Sequence, residues 1–349
     1  MATSVDPFVR RRTLGLADWR AWRAFLLRWG ISLGSLASGL TVLLVFRRGL
    51  PQVGWIVGYL VVVWLLVAVL TQVRARLLAG DRRQRLVVTA GDYTIQTLYH
   101  DLLLFVLPAY YASTTLDGAT APFFLALVLA TLLTTIDPWY RAVVHPHPWL
   151  GRALFTFALF AGLNVALPLV GLPPAWAPEV SAVLAVVALG LASARSGARG
   201  PVRYPAVSIS IPLALGAAGL AWVGLAAIPP APLQVVQPTM ARAVSDLAPI
   251  DPVARVSLGD LRTWGGLYAF TPVAAPAGLH QAIRHRWSHE GRVVATVVLP
   301  TPVEGGRAEG FRTYSRHTDF GPAPVGRWAV DVLTASGQLV GRVRFRIDP

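Results

Sequence analysis

PAVSISIPLALGAAGLAWVGLAAIPPAPLQVVQPTM, residues 205–240, holds the point where this chain changes character. No charge occurs from Pro205 to Ile228, a stretch long enough to cross a hydrocarbon core of about 30 Å as a helix. Pro229, Pro230 and Pro232 then stop any helix, since proline cannot donate the backbone hydrogen bond that would extend it. Beyond them the apolar residues recur every second position, the period of a strand: Ile283, His285 and Trp287 alternate with Arg284 and Arg286 before a turn at His289-Glu290-Gly291, and Ala335-Ser336-Gly337 turns into a strand at Val340–Ile347. The stretch therefore predicts an α-helical membrane bundle ending near residue 228, a Pro-rich linker over 229–237, and an all-β sandwich domain over 238–349.

Working back towards the N-terminus, similar apolar runs recur between arginine-rich gaps. They predict seven transmembrane helices, at about 29–46, 53–73, 95–115, 122–144, 150–169, 179–194 and 205–228. Composition agrees: the chain is 54% hydrophobic and 14% charged, with a mean hydropathy of +0.55, whereas a soluble domain is nearer a quarter charged. Residues 1–28 form a basic interfacial segment in which Trp19, Trp22, Leu26 and Trp29 share one helical stripe. No cleavable signal peptide is read there.

The net charge of +14 comes from arginine alone, because the chain has no lysine. That excludes a Walker A loop, a Schiff-base lysine and a protein-kinase site. Absence of cysteine excludes thiol nucleophiles and thiolate metal sites. The arginines are better read as topology than as a nucleic-acid surface. Loops assigned alternately to two sides collect Arg10, Arg11, Arg12, Arg20, Arg23, Arg28, Arg74, Arg76, Arg82, Arg83, Arg85, Arg141, Arg152, Arg195, Arg199 and Arg203 on one side. Only Arg47 and Arg48 fall on the other. The positive-inside rule then places the N-terminus in the cytoplasm of a bacterial cell and the β-domain outside the inner (cytoplasmic) membrane, in the periplasm or its equivalent.

Within the spans, Asp101 and Asp137 stand out, because a carboxylate at membrane depth needs a partner, water or a pathway. With His100, Tyr140 and Arg141 they form a candidate intramembrane polar cluster. It reads either as a proton- or ion-responsive site or as a satisfied ion pair beside a kink made by Pro138. In the β-region, Arg342, Arg344 and Arg346 alternate along one strand and share a face. With Arg284, Arg286 and Trp287 they form a candidate ligand face for an anionic glycan or lipid headgroup. A solvated sheet face over core aromatics is the plainer alternative. His285, His289, His317 and Asp319 have no recognised metal-ligand spacing, and neither a metal site nor a cofactor is expected.

Tyr99-His100-Asp101 through Pro108, then Ser113-Thr114-Thr115 and Ile136-Asp137-Pro138-Trp139-Tyr140, resemble a family of bacterial multi-pass membrane proteins of uncharacterised function, over about residues 25–225. Ala241-Arg242-Ala243, Ile250-Asp251-Pro252, His285-Arg286-Trp287, Tyr314-Ser315 and Gly326-Arg327-Trp328 resemble an uncharacterised bacterial exported β-domain family, over about 238–349. Neither resemblance implies an activity.

Three functions remain open from sequence. The first is a non-enzymatic membrane anchor that presents the β-domain to an envelope protein, a glycan or an anionic lipid. The second is a proton- or ion-responsive transporter or sensor built on Asp101 and Asp137. The third is a membrane enzyme acting on a lipid-linked substrate. The lipid bilayer is the expected surrounding of the helices in all three, and no nucleic-acid partner is expected.

Overall fold

A computed structural model describes residues 81–193, 206–307 and 309–349, together with Val69. The expected interfacial segment and the first two expected spans, 29–46 and 53–73, lie outside the described residues, Val69 apart. The described chain forms a helical region and then a β-rich, sandwich-like domain.

The first described helix, α1, runs Arg82–Ser113. It begins well before the expected span at 95, so its first turns carry arginines that the sequence assigns to a loop. α2 covers Ala121–Thr135. The chain then breaks at Ile136, whose backbone is extended (φ −94°, ψ 95°), and resumes as α3, Asp137–Trp139, continuing as a π-helical turn over Tyr140–Val144. The two pieces meet at 94°. The expected fourth span at 122–144 is thus a broken helix. The cause is local: Pro138 has no N–H to give the Thr134 carbonyl four residues back, and in a continuous helix its ring would clash with that carbonyl.

α4, Pro148–Leu169, starts with proline in its first turn and ends where Gly171 takes φ +97°. Gly171 N–H donates to Pro168 O and Leu172 N–H to Leu167 O, a closure that uses up otherwise orphaned carbonyls. α5 is Ala177–Ser193 and α6 Ala206–Val223, followed by a 3-10 turn over Leu225–Ala227.

Among the described residues, α4 is the one helix long and apolar enough to cross a membrane, or one of two if the bent pair counts as a span. That is fewer than the seven expected. α5 and α6 have apolar stretches of only Ala177–Leu191 and Ile211–Val223. Even a 17-residue helix reaches roughly 25 Å, short of an average hydrocarbon core. α1 is long enough, but it carries charges in its first half.

The β-region holds two main sheets. β2 (Thr239–Ser245), β3 (Ala248–Val253), β5 (Leu267–Phe270) and β11 (Tyr314–His317) form one, in the order β11-β5-β2-β3. β4 (Arg255–Ser257), β8 (Ile283–His289), β9 (Arg292–Val298), β12 (Gly326–Thr334) and β13 (Leu339–Asp348) form the other, in the order β4-β13-β12-β8-β9. A short helix, α7 (Leu258–Trp264), follows β4 with Ser257 Oγ capping Asp260 N–H at 3.0 Å. The inner faces share one core: Met240, Leu267 and Ala269 from the first sheet meet Trp287, Trp328, Val330, Val343 and Phe345 from the second.

Residues 229–237, expected as a linker, pack closely. β1 (Gln234–Val235) pairs with β6 (Val273–Ala274), as β7 (His280–Gln281) does with β10 (Val303–Glu304); Leu233 is buried, and Gln338 Nε2 donates to Ile228 O at 3.2 Å. The loop between α1 and α2 also meets the β-region. Asp117 is ion-paired with Arg344 and lies 3.9 Å from Arg342. Leu339 packs against Gly118, where an added Cβ would come within 3.0 Å of it.

Candidate functional site

Gln96 and His100 lie one turn apart on α1 and face the break between α2 and α3. Gln96 Nε2 donates to Asp137 Oδ1 at 2.7 Å and to Thr134 O at 3.0 Å. Thr134 O is the carbonyl that Pro138 deprives of its helical donor, so Gln96 replaces the missing backbone N–H. His100 Nδ1 is 2.7 Å from Thr135 Oγ1, whose hydroxyl also meets Thr131 O. Gln96, His100 and Asp137 are all buried.

This junction differs from the expected cluster of His100, Asp101, Asp137, Tyr140 and Arg141. Asp101 follows His100 by one residue and so points away from the Gln96–His100 face; its buried Oδ1 has no hydrogen bond among the described residues. Tyr140 is buried and edge-on to His145, with ring centroids 5.8 Å apart. Arg141 is exposed and lies 5.0 Å over the Tyr93 ring. Sequence reasoning misses Gln96, although two spacings point to it. Gln96 precedes His100 by four residues, and Thr134 precedes Pro138 by four, which names the carbonyl that Gln96 serves.

The arginine face is where the alternation of β13 puts it. Arg342, Arg344 and Arg346 project outward while Val343, Phe345 and Ile347 are buried. Arg286 on β8 and Arg342 on β13 stand on either side of Asp331 on β12 and directly opposite it. Asp331, 3% exposed, accepts from Arg286 Nη2 at 2.8 Å and from Arg342 Nε and Nη2. Arg284 Nη2 donates to the carbonyls of Thr334 and Ala335 at 3.3 and 2.6 Å. These three arginines are therefore committed to the fold. Trp287, expected on the same face, is fully buried between the sheets. One residue from Arg286 along a strand is the opposite face. Arg344 and Arg346 remain about half exposed, the latter 3.0 Å from Asp348.

Two arginines outside the expected face complete it. The parallel register sets Arg255 of β4 beside Arg346, and the antiparallel register sets Arg327 of β12 on its other side. Three like charges thus stand in a row across three strands. Arg327 N–H donates to Glu290 Oε1 at 2.7 Å, and this bond, followed by the guanidinium contact, holds the exposed Glu290 carboxyl below the usual range.

Between the sheets, His285 sits in a closed hydroxyl network. Its Nε2 is 2.8 Å from Thr271 Oγ1 and its Nδ1 is 2.8 Å from Ser315 Oγ. Thr313 Oγ1 donates to Thr271 O at 2.5 Å and so accepts from Thr271 Oγ1, 2.9 Å away. Thr271 has then used its proton, so His285 Nε2 carries the hydrogen and Nδ1 accepts from Ser315. Trp287 Nε1 donates to Ser315 Oγ at 3.1 Å. Burial lowers the His285 pKa to about 4. His317 stacks on Trp287 and its pKa is lowered, chiefly by burial. His289 stacks on Trp328 at 4.5 Å. Among the described residues, no group of three or more His, Cys, Asp or Glu could hold a metal ion.

A helical region joined through a packed segment to a sandwich-like domain with an arginine-lined outer sheet defines the class. The chain belongs to a family described as "Family of unknown function (DUF5924)", which matches residues 17–269. A second, described as "Protein of unknown function (DUF2914)", matches residues 280–347. No curated protein and no solved structure matches the chain. The two matched segments interlock: β4 from the first completes the sheet of β8, β12 and β13, and β11 from the second completes the sheet of β2 and β5.

Proposed function

We propose that this is a multi-pass membrane protein of a bacterial cytoplasmic membrane that holds its β-domain at the extracytoplasmic surface, where the domain engages an envelope partner. The supporting observation is the outward surface of the helices. Leu125, Leu129 and Leu132 on α2, Leu184 and Leu191 on α5, and Ile211, Leu213, Leu215 and Leu220 on α6 are all exposed. Exposed tryptophans stand at both ends: Trp139 and Trp149 at one, Trp176 and Trp222 at the other. A water-facing helical surface does not carry so continuous an apolar cover, whereas lipid favours it and tryptophan favours the headgroup boundary.

The contacts of the β-domain agree with a bundle in which α6 ends on the same side as the α1–α2 loop. A domain exported after α6 must meet the α1–α2 loop on the same side, and Asp117 of that loop pairs with Arg344. The test is extraction from bacterial membranes. The chain should resist alkaline carbonate and dissolve only in detergent; release by carbonate would refute the membrane reading.

One observation favours a second reading, an ion- or proton-responsive protein. Discontinuous helices with buried polar side chains line the binding sites of many transporters, and the break at Ile136 beside Asp137 and Gln96 has that form. Transport or sensing lost in the Asp137→Asn variant at unchanged abundance would support it. A loss that only follows abundance would leave the junction structural.

A further inference from the structure

We propose that the row Arg255–Arg346–Arg327, with Arg344 beside it, binds the phosphates of anionic glycerophospholipid headgroups in the leaflet next to the β-domain. The inference rests on the membrane reading above.

The row is unfavourable without a ligand. Neighbouring strands lie about 4.8 Å apart, and like charges directly opposite one another destabilise a sheet. The register places Arg346 opposite Arg327 and beside Arg255. The acids near the row compensate it weakly. Arg327–Glu290, Arg346–Asp348 and Arg344–Asp117 are exposed pairs, with side-chain exposures of 82% and 46%, 57% and 38%, and 52% and 55%. Solvent screens pairs of that kind and they contribute little, so a phosphate can replace them. Asp331, by contrast, is buried and already shared between Arg286 and Arg342. The face therefore has a neutralised half and a cationic half, and the cationic half is the exposed one.

Location selects the anion. Arg344 touches Asp117 in the α1–α2 loop, which is flanked by exposed Tyr111 and Leu116; exposed Trp222 ends α6. Those side chains mark where apolar surroundings end, so the arginines begin at headgroup level. Arg346 follows Arg344 by two residues, about 7 Å along the strand. A guanidinium offers a planar fork that takes two phosphate oxygens at once. Adjacent guanidinium groups across strands suit headgroups packed side by side better than one isolated anion.

The experiment uses the full chain in detergent, titrated with phosphatidylglycerol, phosphatidylcholine or inorganic phosphate and read by native mass spectrometry and thermal unfolding. Phosphatidylglycerol should bind more tightly than phosphatidylcholine. Each arginine at an anionic surface accounts for about fivefold, so the R255Q/R327Q/R346Q variant should lose more than tenfold in apparent affinity. The R307Q/R312Q variant, altered in the segment between residues 304 and 314, should bind as the unaltered chain does. Without lipid, the triple glutamine variant should melt no lower than the parent, because repulsion has been removed. If it fails to fold, that expectation fails, and the R255K/R327K/R346K variant then decides: it should keep the preference for phosphatidylglycerol. Equal affinity in parent and glutamine variant, equal binding of phosphatidylcholine, or equal stabilisation by inorganic phosphate would overturn the assignment. Carbonate extraction of the same parent chain is scored separately. A chain that needs detergent but shows no lipid preference sinks the arginine row and leaves the membrane reading standing.

Discussion

The helical region and the sandwich-like domain both bury polar groups, and they do so to opposite ends. At the helix break, Gln96 repairs damage that Pro138 does to the backbone, and Asp137 is held by the same amide. In the sandwich, His285 joins hydroxyls and an indole from two strands and the loop after β5, where no backbone hydrogen bond needed repair. The outer surfaces are opposed as well. Leucine and tryptophan face outward from the helices, whereas arginine and aspartate face outward from the five-stranded sheet. The proposed membrane setting accounts for this opposition: lipid would face the helices and water the sheet.

The largest expected effect lies in the sandwich. Asp331→Ala leaves Arg286 and Arg342 facing each other across an emptied strand. Breaking a buried pair costs about 3–5 kcal/mol. Both arginines keep some solvent, so a loss of about 3 kcal/mol is expected, measured by thermal unfolding of the full chain. A loss under about 1 kcal/mol, the range of an exposed pair, would show that Asp331 does not organise the sheet.

Acid should find the other buried group. His285 titrates near 6.5 when unfolded and at about 4 when folded. A depressed folded value means the unfolded chain takes up the proton first. The stability contribution is therefore complete above pH 6.5, falls as pH drops, and is gone below about 4. The span corresponds to about 3 kcal/mol. His285→Asn should flatten that slope; an unchanged slope would assign it to other groups, His317 first.

The helical region should respond to Gln96→Leu with a loss of about 2 kcal/mol, since Thr134 O and Asp137 Oδ1 both lose the bond from this amide. The same change should cost less in a Pro138→Ala background, where residue 138 regains an N–H for Thr134 O. Equal cost in both backgrounds would break the repair argument. The smallest effect is at the join. Asp117→Asn removes an exposed pair and should cost less than about 1 kcal/mol.

The legible parts of the sequence are those set by local period. The alternation over 283–289 and 340–347 and the turn at Ala335-Ser336-Gly337 correspond to β8, β13 and the β12–β13 connection. The apolar run at 150–169 corresponds to α4. A kink at Pro138 is expected from sequence, but its 94° extent depends on how α2 and α3 pack, which no local pattern encodes. Trp287 is a legible point misread: strand period alone separates it from Arg284 and Arg286. Arg327 follows from the antiparallel register of the β12–β13 hairpin, but Arg255 is beyond the reach of sequence. Its place beside Arg346 depends on a parallel pairing of β4 with β13, far apart in the chain, and sequence spacing carries no trace of it.

The proposed arrangement puts the helices in the bilayer and the β-domain on its extracytoplasmic side. The chain has no cysteine, so single cysteines report without background. Ser245→Cys on β2 and Ala142→Cys beyond the helix break, both at exposed positions, should be treated with a membrane-impermeant maleimide in spheroplasts. Labelling of the first before lysis and of the second only after lysis is the predicted result. Labelling of the Ser245→Cys variant only after lysis would place the β-domain in the cytoplasm and contradict the account.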